Sequence, residues 1–167
     1  GLGHTGTSFA EKLSPWRLRV ISYDKYRKRY PTSLRFVEKT SLDTVIAQSD
    51  IISLHLPLTD ETRYMVDRCF LDKVKKGVII SNTSRGQIIE TEALLDALKS
   101  GKVGGACLDV FENEKPDHFS NPEKEMYGQL YKMENVVLTP HIAGWTHESL
   151  QQIAEVLFAK IKAGNHL

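Results

Sequence analysis

Apolar runs that show no in-out alternation limit what this chain can fold into. "DIISLHLP" (50 to 57), "VIISNT" (78 to 83), "VGGACLDVF" (103 to 111) and "NVVLTPHI" (135 to 142) read as strands, and "RLRVISYD" (17 to 24) as another. Runs without alternation suggest a sheet covered on both faces. Helical segments lie between them. "TGTSFAEKL" ends near Ser14-Pro15, "SLDTVIAQS" (41 to 49) has Ser41 as N-cap, and "FLDKVKKG" closes on Gly77. "ETEALLDALKSG" (90 to 101) ends on Lys99, Ser100 and Gly101, and residues 147 to 164 form a final amphipathic helix. Strands joined through helices pair in parallel by right-handed crossovers. The expected architecture is a doubly wound parallel α/β sheet. Residues 112 to 134 carry Pro116, Asn121-Pro122 and Gly128, and read as a surface excursion with a helical turn.

The length, 167 residues, suits one domain with a core, and the net charge of +1 gives no bulk case for binding nucleic acid or membrane. The basic run "KYRKRY" (25 to 30) reads as a solvated turn. Cys69 and Cys107 have no metal spacing, and Cys107, inside an apolar run, reads as a small buried residue. This usage suggests a reduced, cytoplasmic protein. No signal peptide and no apolar run long enough to cross a bilayer is visible. His118 and His147 lack partners at metal spacing, so no metal site is expected. His55, in a buried strand, reads as a hydrogen-bonded core residue.

In such a sheet, ligands sit beyond the carboxyl ends of the strands. "GLGHTG" (1 to 6) is a G-x-G-x-x-G string. Gly1 permits a tight turn, Gly3 lets a pyrophosphate approach the backbone, and Gly6 lets the helix pack close to the sheet. The helix N-terminus then offers unpaired N–H groups to phosphate. His4, inside the loop, either touches phosphate or faces solvent. Asp24 ends the next strand, where an acidic side chain accepts from a ribose 2′-OH and repels a 2′-phosphate. NAD is therefore expected over NADP, although Lys25 and Arg27 could offset the repulsion.

Three further strand ends carry Arg85 in "NTSRGQ", Asp109 and Glu114 in "LDVFENE", and His141 in "LTPHIAGW". A guanidinium grips a carboxylate with two hydrogen bonds and polarises the adjacent carbonyl. An imidazole exchanges a proton with the neighbouring hydroxyl, and a nearby glutamate orients the ring. Together they suit hydride chemistry on a 2-hydroxy acid.

"GLGHTG", "LHLPLT", "NTSRGQ", "LDVFENE" and "LTPHIAGWTHES" resemble, in order and spacing, the D-isomer-specific 2-hydroxyacid dehydrogenases. The resemblance covers essentially the whole chain. It implies an NAD-dependent enzyme acting on a small 2-hydroxy or 2-keto acid, with Arg85, Glu114 and His141 as the catalytic set. It implies a cofactor groove lined by Thr5, Leu56, Pro57, Thr62, Thr83, Ser84 and Gly144, with Arg85 and His141 reaching it and Asp109 near the nicotinamide carboxamide. Family members are about twice this length. Residues 1 to 167 thus correspond to a Rossmann-type nucleotide domain whose first strand and substrate-binding domain lie outside the sequence. A homodimer or higher homo-oligomer is the family's usual state. "HIAGWTHES" looks most like phosphoglycerate dehydrogenase-type members, which begin serine synthesis. Glycerate, hydroxypyruvate, lactate and erythronate-phosphate substrates stay open. A corepressor of the same fold, sensing NAD(H) without turnover, is the rival reading. One departure is Lys115, which stands before Pro116 where the family often has proline directly after the glutamate. Glu112 therefore competes with Glu114, and spacing favours Glu114. Trp145 either covers the active-site mouth or serves a subunit contact.

Overall fold

The computed structural model describes residues 1–164. Their order is α1 (His4–Leu13), β1 (Val20–Ser22), β2 (Val37–Lys39), α2 (Leu42–Gln48), β3 (Ile51–Leu54), α3 (Arg68–Lys73), β4 (Val78–Asn82), α4 (Thr91–Lys99), β5 (Val103–Leu108), α5 (Asn121–Leu130), β6 (Val136–Leu138) and α6 (His147–Gly164). All pairings are parallel: β1 with β2, and a four-stranded sheet in the order β3-β4-β5-β6. This is the Rossmann-type arrangement the alternation of elements implies.

Local signals account for most boundaries. Ser41 caps α2 by accepting from Thr44 N at 3.1 Å. Asp67 caps α3 by accepting from Phe70 N at 2.8 Å. The main core lies between one face of the larger sheet and α2 to α5. It joins Ile46, Phe70, Leu71, Leu94, Tyr127 and Leu130 to Ile52, Ile80 and Leu108. A smaller core packs Leu2 and Ala10 against Leu34 and Val37.

Several expectations are corrected. The larger sheet is covered on one face only: Ile52 and Ile80 are buried, whereas Ile51 is 62% exposed and Val137 60%. Ile79 is exposed as well on that second face. Cys107 lies on it and is exposed, not buried. Gly77 does not close α3, which ends at Lys73; it takes φ +82° in the turn into β4. Strand β2 was not expected, because it is only three residues long and buries Val37 alone. The expected excursion at 112 to 134 contains a ten-residue helix, α5. Pro122 opens that helix, where a missing N–H costs nothing. Tyr127 and Leu130 then reach the core.

Gly1 stands between the two sheets. Its backbone nitrogen donates to Tyr23 O, just past β1, at 3.0 Å. A Cβ on Gly1 would lie 2.4 Å from His55 O, just past β3. The glycine loop therefore bridges the ends of β1 and β3.

Candidate active site

The loop opens onto a cleft of about 210 Å³, lined by Gly3, His4, Thr5, Gly6, His55, Leu56, Pro57, Thr83, Ser84 and Arg85. Helix α1 starts at His4 with no side-chain cap, so its first N–H groups are free of side-chain acceptors. Gly6 is required by contact: a Cβ there would sit 2.3 Å from Gly1 O. Nothing lies within 4 Å of the Cβ position of Gly3, which leaves room for a ligand at the backbone. These residues fit a dinucleotide pyrophosphate. His55, expected in the core, instead helps line the cleft. Its Nε2 pairs with Ser53 Oγ at 3.0 Å, and its Nδ1 is buried without a partner. Burial lowers its pKa.

Asp24 stands beside the loop. It accepts from Leu2 N at 2.7 Å, Arg27 N at 2.8 Å and Tyr26 N at 3.0 Å. Burial is the largest single influence on its carboxyl and acts upward. The three N–H donors outweigh it, and the pKa falls below the ordinary value.

The turn after β4 is held by Ser84, expected at the cofactor groove, and by Asn82, which sequence reasoning missed. Buried Asn82 donates from Nδ2 to Arg85 O at 2.9 Å and accepts from Ser84 N at 3.0 Å. The only hint was a polar residue at the end of an apolar run. Ser84 Oγ donates to Leu54 O at 2.5 Å and accepts from Leu56 N at 3.2 Å, so the turns after β3 and β4 are clipped together. Arg85 is exposed at the cleft wall. The next residue, Gly86, abuts the segment leading to Glu114, and a Cβ on it would fall 1.9 Å from Phe111 C.

His141 Nδ1 and Glu114 Oε2 are 2.9 Å apart. Glu112 does other work: it accepts from Thr91 N at 2.5 Å, at the start of α4. Of the two glutamates, only Glu114 meets the histidine. His141 has φ +55°, unusual for a bulky side chain. Asp109, 4% exposed, holds this turn. Its Oδ1 accepts from Thr139 Oγ1 at 2.5 Å and Ile142 N at 2.9 Å, and its Oδ2 from Ala143 N at 3.0 Å. Burial again pushes its carboxyl upward most strongly. The Thr139 hydroxyl, the two N–H groups and His141 outweigh it, and the pKa is lowered. Asp109, His141 and Gly144 lie outside the wall of the glycine-loop cleft, as does Thr62, whose Oγ1 donates to Pro57 O at 2.7 Å. Trp145 is 79% exposed. Among the described residues no group of His, Cys, Asp and Glu could hold a metal, and no helix is long and apolar enough to cross a membrane.

The sequence profile described as "D-isomer specific 2-hydroxyacid dehydrogenase, NAD binding domain" matches residues 1–143. The chain belongs to this family. Glyoxylate reductase of Thermofilum pendens is 42% identical over 159 residues, which is 93% of this dehydrogenase-family chain and 44% of the relative. D-3-phosphoglycerate dehydrogenase of Archaeoglobus fulgidus is 36% identical over 157 residues, 94% of the chain and 28% of the relative. A crystal structure of a D-isomer specific 2-hydroxyacid dehydrogenase from Lactobacillus delbrueckii ssp. bulgaricus in its NAD complexed form superposes with a TM-score of 0.87 at 34% identity. That alignment covers 99% of this chain and 51% of the neighbour. The chain thus spans about half or less of the length of these proteins.

Proposed function

We propose that this chain is the nucleotide-binding part of an NAD-linked oxidoreductase that interconverts D-2-hydroxy acids and 2-keto acids. The observation that carries the reading is the Glu114–His141 pair at 2.9 Å, whose glutamate follows a segment packed against the turn bearing Arg85. Bound NAD supplies the hydride acceptor. The glycine loop and the first turn of α1 hold its pyrophosphate, and Asp24 faces its adenosine ribose. Glu114 engages His141 at Nδ1 and leaves Nε2 free to take the hydroxyl proton of the acid and to return it in reduction. Arg85 receives the substrate carboxylate.

Glyoxylate and hydroxypyruvate are the first substrates of the proposal, supported by a glyoxylate reductase 42% identical to this chain and a hydroxypyruvate reductase 39% identical. 3-Phosphohydroxypyruvate, the keto form of D-3-phosphoglycerate, is the second, supported by "HIAGWTHES" and by the Archaeoglobus relative. The test is NADH oxidation by the intact protein with each keto acid. His141→Ala is expected to lower kcat by at least about 10²-fold. Undiminished turnover by that variant overturns the mechanism. The rival reading is an NAD(H)-sensing module of the same fold, and tight NADH binding without turnover of any keto acid selects it.

The same proposal places one more strand between β1 and β3, entering the loop at Gly1 and joining the two sheets, with the substrate domain on a longer polypeptide. A homodimer belongs to it as well, and sedimentation of the intact protein checks that.

A further inference from the structure

The peptide between the first two glycines is gripped from both sides. Leu2 N donates to Asp24 Oδ2 at 2.7 Å. Leu2 O accepts from Arg27 Nη1 in a short contact and from Thr7 Oγ1 at 3.2 Å. The same guanidinium nitrogen donates to Thr7 Oγ1 at 2.7 Å, and Arg27 N donates to Asp24 Oδ1 at 2.8 Å. These bonds close a ring that runs from the loop to Asp24, along the backbone to Arg27, and back to the loop. The Leu2 side chain is 3% exposed and packs with Leu34 and Val37, so the peptide cannot turn away from the ring. Arg27 is partly buried, whereas its basic neighbours Lys25, Lys28 and Arg29 are exposed.

We propose that Arg27 is a positioning residue for the cofactor: it fixes the glycine loop in the shape that receives the pyrophosphate, and it is not a 2′-phosphate contact. The inference rests on the nucleotide-binding role proposed above. Its Nη1 is committed to Leu2 O and Thr7 Oγ1, at the base of the loop. A flexible loop must be ordered at the moment of binding, and that ordering lowers affinity. A loop held in place by a charge-assisted bond to its own carbonyl avoids the loss. Three of the carboxylate's acceptor positions on Asp24 are likewise taken by backbone N–H groups of the same ring. Asp24 and Arg27 therefore act together on loop shape, and removing either one damages the site shared by both dinucleotides.

The experiment is fluorescence titration of the intact protein with NADH and with NADPH, alongside thermal unfolding of the apo form. Arg27→Met is expected to raise the Kd for NADH about tenfold. The Kd for NADPH rises by the same factor, because the pyrophosphate is common to both. Arg27→Lys, which keeps the charge and one donor direction, recovers most of the loss. Thr7→Val, which removes one acceptor of the guanidinium, raises the Kd for NADH about threefold and stands in if Arg27→Met fails to fold. Unchanged NADH affinity in both Arg27→Met and Thr7→Val overturns the proposal. So does a loss confined to NADPH, which makes Arg27 a phosphate contact, and so does a loss in Arg27→Met that Arg27→Lys shares in full. Failure of the wild-type protein to bind either dinucleotide is a separate result, and it removes the nucleotide-binding reading itself.

Discussion

At the scale of single residues, the two glutamates separate cleanly. Glu114 meets His141, and Glu112 meets the N-terminus of α4. Glu114→Gln is expected to lower kcat by about 10²-fold with little loss of stability. Glu112→Gln is expected to leave kcat nearly intact and to cost about 1 kcal/mol in urea unfolding. Asp109 gives a third test. Its folded pKa is depressed, so its contribution is complete above the ordinary aspartate value of about 3.9 and is lost as pH falls through the lower folded value. Asp109→Asn should cost about 2 kcal/mol near neutral pH, and the gap from wild type should close below about pH 4, read by unfolding across a pH series. Arg85, Glu114 and His141 stand out in the sequence as candidates, because strand ends and motif spacing point at them, and the fold brings two of them, Glu114 and His141, into contact. The job of Asp109 was not legible there. Its partners Thr139, Ile142 and Ala143 lie some 30 residues on, and only the folded sheet brings β5 and β6 side by side.

At the scale of elements, α5 shows where local reading stops short. Its start is written in the sequence as a reciprocal cap: Ser120 Oγ accepts from Glu123 N at 3.4 Å, and Glu123 Oε2 accepts from Ser120 N at 2.8 Å. Pro116 and the Asn121-Pro122 pair read as breakers, and the cap was overlooked behind them. The Ser120 hydroxyl, the Asn113 amide and the Ser120 N–H pull the Glu123 carboxyl down to about 2. The cap is therefore intact above the ordinary glutamate value of about 4.3 and is lost as pH falls through about 2. Amide NMR of residues 121 to 130 across that range checks it. Ser120→Ala should destabilise the protein by about 1 kcal/mol at neutral pH. The longer helices and the buried strands β3, β4 and β5 were legible because each carries several apolar positions in one pattern. Strand β2 offers a single inward residue, too little for any periodicity to register.

At the scale of the whole molecule, the uncovered sheet face is the feature that no pattern foretold. A run such as "VIISN" reads as buried on both sides, and whether a second layer exists depends on elements far away in sequence. Cys107 reports on that face, and Cys69, on α3, lies outside it. A maleimide should label both thiols in residues 1 to 167, while the longer polypeptide proposed above should protect Cys107 and leave Cys69 reactive; mass spectrometry distinguishes the two. The seam at Gly86 governs the rest. There, two loops from different strands press together so tightly that a lone hydrogen fills the gap. On the proposed chemistry one loop anchors the acid and the other bears the glutamate that engages the proton-carrying histidine. The spacing of the two loops is thus fixed by the smallest atom available, and any methyl placed there would pry the anchor away from that glutamate.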